Sequence, residues 1–185
     1  MFKKNRLTNF KMEFYSNILI GLLIGVSSGF ISSICFLKFF LSKKIPRIKI
    51  SDYISKQSIN NQECFIFKFV NLTNSELFDV KFNLIIFTPV GDLNGANIQG
   101  NEIKLSENFM PFIPAKSKDD KFDSYAIRIR TIENIEELWK KNTFLRLTII
   151  AKHSYSGFNK VFIKDFNKEN ISIKEFVSGE SLDVK

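Results

Sequence analysis

Cysteine, histidine and tryptophan are the scarce side chains of this 185-residue chain, which holds two, one and one of them. Each scarcity removes a class of chemistry. Cys35 lies inside an apolar run and Cys64 beyond it, so the part of the chain after the run has no second thiol with which to close a disulfide. No Cys-x-x-Cys pair occurs and His153 stands alone, which leaves the common structural zinc sites without a ligand set. Gly91, Gly95 and Gly100 in "PVGDLNGANIQG" are not followed by Gly-Lys-Ser or Gly-Lys-Thr, so the stretch reads as a turn-rich loop and not as a phosphate cradle. No cofactor and no metal is expected.

Acidic side chains are scarce in one region only. Before Ile50, Glu13 is the single acid against Lys3, Lys4, Arg6, Lys11, Lys38, Lys43, Lys44, Arg47 and Lys49, and this imbalance accounts for the whole net charge of +8. From Ile50 onward, 18 basic residues meet 18 acidic ones. A nucleic-acid-binding domain carries its basic patch itself, so no nucleic-acid partner is expected. The nine early cations instead flank an apolar segment and read as membrane-surface residues.

That segment, Ile18 to Leu37, is 20 residues without a charge, and as a helix it spans about 30 Å, one bilayer core. Lys38 follows it and can snorkel toward the head groups. A cleaved signal peptide competes with this reading. The apolar run, however, continues past the small residues Ser27 and Gly29 and ends in lysines, as an uncleaved anchor does. Basic residues are nearly balanced across the segment, four before it and four beyond Lys38, with Lys56 further on. The slight excess beyond the segment and the unpaired Cys64 favour the cytosol for the following domain, with an external domain as the alternative.

Within the run, Gly21, Gly25, Gly29 and Ser33 recur every fourth residue and form one small-residue strip on a helix. Lipid gives helices little hydrophobic drive to associate, so close packing over small residues is a route to contact with a second copy or another protein's helix.

After a basic flank and polar linker over 42–60, with a first edge strand suggested by Pro46, Ile48 and Ile50, the pattern becomes that of strands. "CFIFKFVN" puts Phe65, Phe67 and Phe69 on one face, and "LFDVKFNLIIFT" alternates Phe78, Val80, Phe82, Leu84 and Ile86 against Asp79, Lys81 and Asn83. The short polar "LTNSE" between them predicts a hairpin. Pro111 and Pro114 predict a bent loop, and "YAIRIRT" predicts a strand with Arg128 and Arg130 facing water. "TIENIEELWKKN" predicts a helix capped by Thr131, with Ile132, Ile135, Leu138 and Trp139 as its apolar stripe. "FLRLTIIAKH" and "KVFIKDF" flank a turn at Gly157, and "ISIKEF" closes the set.

The layout of "FIFKFVNLTNSELFDVKFNLIIF" resembles paired strands in the cytoplasmic immunoglobulin-like domains of inward-rectifier potassium channels. The resemblance covers two strands. No selectivity-filter segment such as Thr-Val-Gly-Tyr-Gly accompanies it, so neither a channel function nor any residue role is carried over.

The expected fold is therefore mainly β: a basic flank over 1–17, a transmembrane helix over 18–41, the linker, and an immunoglobulin-like antiparallel β-sandwich over 61–185 with one short helix. His153 lacks a nucleophile elbow and reads as a turn or surface residue, while Asp119, Asp120 and Asp123 lack the order of a calcium loop. The expected function is a single-pass, membrane-anchored binding or assembly module without recognisable catalytic chemistry, its partners being the bilayer and a protein or second copy. The alternative is an accessory subunit that packs through the small-residue face. Gly25→Ile is expected to lower helix association in a membrane-helix reporter assay; equal signals for the two helices would reject self-association through this strip.

Overall fold

The structure, a computed structural model, describes residues 2–40, 44–90, 97–117, 119–140 and 142–185, with side chains from Phe14 onward. It divides into two units, 1–44 and 45–185. In the first, helix α1 spans Phe2–Phe40, and its stretch Phe14–Phe40 is long and apolar enough to cross a membrane, with none of it buried.

Among the described residues, the second unit contains nine strands: β1 (Ile48–Ile59), β2 (Gln62–Asn71), β3 (Leu77–Val90), β4 (Asn97–Ile103), β5 (Phe109–Ile113), β6 (Ala126–Thr131), β7 (Phe144–His153), β8 (Asn159–Phe166) and β9 (Ile171–Ser172). Helix α2 is the single turn Ile135–Leu138. One sheet runs β6-β2-β1-β9, and the other runs β4-β3-β7-β8 with β5 beside β3. Among the described residues, the sheets do not close into a barrel.

Alternation explains the core. Phe65, Phe67 and Phe69 of β2 and Val80, Phe82, Leu84 and Ile86 of β3 are all buried, as are Leu145, Leu147 and Ile149 of β7. Rings meet between the sheets, with centroids 5.6 Å apart for Phe67 and Phe166 and 5.4 Å apart for Phe69 and Phe82. Burial of each such side chain contributes roughly 1.5–3 kcal/mol, and the ring pairs add to this where the sheets meet. The β1–β2 connection is a two-residue turn with Asn60 and Asn61 at φ 52° and 62°, a left-handed pair that suits the twist of a hairpin.

Several expectations are corrected. The strand suggested by Pro46, Ile48 and Ile50 is present as β1, but it lies between β2 and β9 and not at the sheet edge, and Ile48, Ile50 and Ile54 pack on the core. β2 and β3 do not form a hairpin: residues 72–76 carry the chain from one sheet to the other. Buried Asn71 makes this corner, its Nδ2 donating to Ser75 O (3.2 Å) and Pro114 O (2.9 Å), and its Oδ1 accepting from Thr73 N (2.8 Å).

The fold is not wholly antiparallel, since β9 pairs parallel to β1 at Ile54 and Ser55. Pro111 lies in a strand, β5, which its position at the sheet edge permits. Thr131 ends β6 and its hydroxyl donates to Lys104 O (2.7 Å), while Asn134 occupies the cap position of α2. Of the expected helical stripe, Ile135 and Trp139 are buried and Ile132 and Leu138 exposed, because one turn cannot present four residues to the core. Residues 91–96 of the expected loop and Lys141 lie outside the described residues, and Gly100 belongs to β4.

Phe67→Ala in the full chain in detergent is expected to cost about 3–5 kcal/mol of unfolding free energy, followed by the fluorescence of the single Trp139. Phe122→Ala, at a ring 91% exposed, should change stability by no more than about 0.5 kcal/mol.

Candidate docking surfaces

The two sheets treat their outer faces differently. On the four-stranded sheet, the outward residues of β2 are Cys64, Ile66 and Lys68, and all three are buried. The cover is the segment 173–185, which crosses the outside of the sheet and folds back on itself. Phe176 bridges to Val184, and Glu175 and Lys185 exchange backbone hydrogen bonds. Phe176 packs on Cys64 and Ile66, with Ile59 and Val184 alongside.

The polar part of this contact runs one way: side chains of the sheet donate and main-chain carbonyls of the segment accept. Ser51 Oγ donates to Leu182 O (2.6 Å) and Ser55 Oγ to Lys174 O (2.7 Å). Lys68 Nζ donates to Val177 O (2.5 Å) and Ser181 O (2.7 Å). Arg128 reaches Phe176 O at 3.3 Å. Lys68 and Arg128 are register partners on β2 and β6, so two cations converge on neutral carbonyls. Burial pushes the Lys68 ammonium below its ordinary pKa and the Arg128 charge adds to this, against a smaller opposite effect of Asp123.

The five-stranded sheet leaves its outer face open. Val161 and Ile163 of β8 stand opposite Ile150 and Thr148 of β7, and both are more than half exposed. Phe78 and Phe112 lie across the β3–β5 pair with centroids 5.5 Å apart, each partly in solvent, and Phe109 follows. Arg146 organises one end of this face. Its guanidinium lies 5.3 Å from the centroids of both Phe87 and Phe144 and forks onto Asp165, Nε to Oδ1 at 2.6 Å and Nη2 to Oδ2 at 2.8 Å. The Asp165 carboxylate holds the guanidinium more firmly protonated.

Other expected site residues are dispersed. Gly21, Gly25 and Gly29 have nothing within 4 Å of a built Cβ, and the Ser33 hydroxyl folds back to Gly29 O at 2.8 Å. Lys38 lies in the last turn of α1, and Lys44 Nζ is 5.9 Å from the Phe40 ring centroid. Lys3, Lys4, Arg6 and Lys11 belong to α1, their side chains outside those described, and Lys43 lies outside the described residues. Arg47 and Lys49 belong to the β unit, Lys49 paired with Val70. Asp120 uses its carboxylate locally, accepting from Ser124 N (2.7 Å) and Phe122 N (3.0 Å), and its bond with the Ser124 hydroxyl lowers its pKa.

His153 is buried at the end of β7 and is not a surface residue. Its Nδ1 accepts from Tyr155 N (3.2 Å) and Ser156 N (3.3 Å), which assigns the ring proton to Nε2, 2.9 Å from Ser75 Oγ. Nε2 therefore donates to the serine and offers it no lone pair as a base. Ser75 is 78 residues away in sequence, so no local pattern marks the pair.

A neutral Lys68 amine keeps two N–H donors, enough for both carbonyls, while losing the desolvation cost. Above the folded pKa of Lys68 and up to the ordinary 10.5, the unfolded chain binds more protons than the folded one, so this group's contribution to stability rises with pH. Unfolding of wild type and Lys68→Met is expected to show the wild type gaining on the variant as pH rises toward 10.5; a constant difference would contradict the burial of the ammonium.

No protein-family model matches this chain, and no curated protein matches its sequence.

Proposed function

We propose that the protein is a single-pass, membrane-anchored binding or assembly module, its β unit an immunoglobulin-like sandwich on the cytosolic side that docks a protein partner. The observation that carries this reading is the asymmetry of the two outer faces. The chain covers one with its own segment and leaves Phe78, Phe112, Ile150, Val161 and Ile163 in solvent on the other. An exposed apolar sheet face of this kind is a common basis of protein recognition. The anchor is α1, with the basic residues on either side of its apolar stretch meeting the head groups, and the reading assigns no catalytic step.

A second reading, an accessory subunit held through the helix, is favoured by the strip itself. The Ser28 and Ser33 hydroxyls turn inward to Gly25 O (3.0 Å) and Gly29 O (2.8 Å), leaving a smooth track of small residues for another helix.

Two measurements test the proposal. A protease-cleavable tag after Lys185 should be protected in intact cells and cleaved after lysis; cleavage in intact cells would overturn the cytosolic side. Replacing Val161 and Ile163 together by lysine should leave folding intact and reduce a copurifying protein partner at least about tenfold, the effect of some 1.4 kcal/mol. Undiminished copurification would remove this face from the reading.

A further inference from the structure

The covered face carries an inference that is independent of the bare one. Segment 173–185 is held as a ligand is held. It contributes one buried aromatic anchor, Phe176, to a small cluster with Cys64 and Ile66 that is separate from the main core. Besides an ion pair between Glu180 and Lys116, its hold on the sheet consists of hydroxyl, ammonium and guanidinium donors reading main-chain carbonyls at 174, 176, 177, 181 and 182. Such contacts do not depend on which copy of the chain supplies the carbonyls.

Releasing the segment is also cheap compared with opening the sandwich. It uncovers Cys64 and Ile66, returns the Lys68 ammonium to water, and leaves the aromatic seam between the sheets untouched. The hinge is 167–172, a 3₁₀ turn closed by Asn167 N to Asn170 Oδ1 (2.6 Å) and a two-residue parallel pairing of β9 with β1, and the exposed Lys116–Glu180 ion pair parts with it. Short hinges of this type permit exchange of identical elements between protomers.

We propose that the outer face of the four-stranded sheet is a receptor for segment 173–185 of a second copy of this chain, so that neighbouring copies assemble by exchanging this segment. Each exchanged segment remakes the contacts it left: Phe176 on Cys64 and Ile66, and its carbonyls on Ser51, Ser55, Lys68 and Arg128. A shared membrane plane, supplied by α1 under the proposed function, raises the encounter rate but is not needed for the fit.

The test uses the full chain with Cys35→Ser, expressed with two different tags. One version retains Cys64 as its only thiol, and the other carries Cys64→Ser with Phe176→Cys. A disulfide between the two tags can form only when the segment of one copy lies on the sheet of the other. Mild oxidation in membranes is expected to give this mixed dimer at least about tenfold above a control pair in which Ile163→Cys, on the opposite sheet, replaces Phe176→Cys. A single chain holding Cys64 and Phe176→Cys reports closure within one copy. Closure there with mixed dimer no higher than the control would overturn exchange and leave the segment a resident cover. Failure of both disulfides would also overturn it, by removing the segment from the face. Neither failure touches the bare face, because Val161 and Ile163 lie on the other sheet.

Discussion

Strand β2 is buried on both sides, and the organisation of the β unit follows from that constraint. Its inward aromatics, Phe65, Phe67 and Phe69, hold the two sheets together, while its outward Cys64, Ile66 and Lys68 need a cover of their own. A strand with two buried faces must be shielded twice, once by the opposing sheet and once by another layer. Segment 173–185 supplies the second layer. On the five-stranded sheet, by contrast, Phe78, Phe112, Ile150, Val161 and Ile163 are left in solvent.

The chemistry at the covered face is unusual in its direction. A buried ammonium is ordinarily matched with a carboxylate, since two opposite charges share the desolvation penalty. Here the partners of Lys68 are two peptide carbonyls, and the nearest cation in register is Arg128. The interaction is therefore satisfied in geometry but costly in charge. The contrast with Arg146 is instructive. That guanidinium has a bidentate carboxylate and two aromatic faces, and it remains accessible to water.

Much of the architecture was legible in residue patterns, for identifiable reasons. Period-two alternation marked β2, β3 and β6, Gly157 marked the β7–β8 turn, and the long uncharged run marked α1. What escaped was whatever depends on partners distant in sequence. Lys68 interrupts an apolar series, and its cover lies more than a hundred residues later in the chain. The corner at Asn71 has the sequence of a hairpin turn, because polar turn residues suit a crossing between sheets as well as a turn within one. His153 read as exposed because the Ser75 contact that buries it has no local signature. The open face of the five-stranded sheet was equally hidden, since alternation says which residues share a face but not whether another layer covers it.

The parallel pairing of β9 with β1 also has a temporal meaning. The first strand of the β unit is joined on one side by β2, its immediate neighbour in sequence, and on the other by residues near the opposite end of the same unit. Ser55 waits for Lys174, 119 residues later, and Ser51 for Leu182, 131 residues later. At a synthesis rate of about 5–20 residues per second, Ser55 leaves the peptidyl-transfer centre roughly 6–24 s before the carbonyl it will bind has been made. Through that interval Cys64, Ile66 and Lys68 have no native cover, so the nascent chain presents a sticky, half-built sheet next to any neighbouring nascent chain on the same messenger.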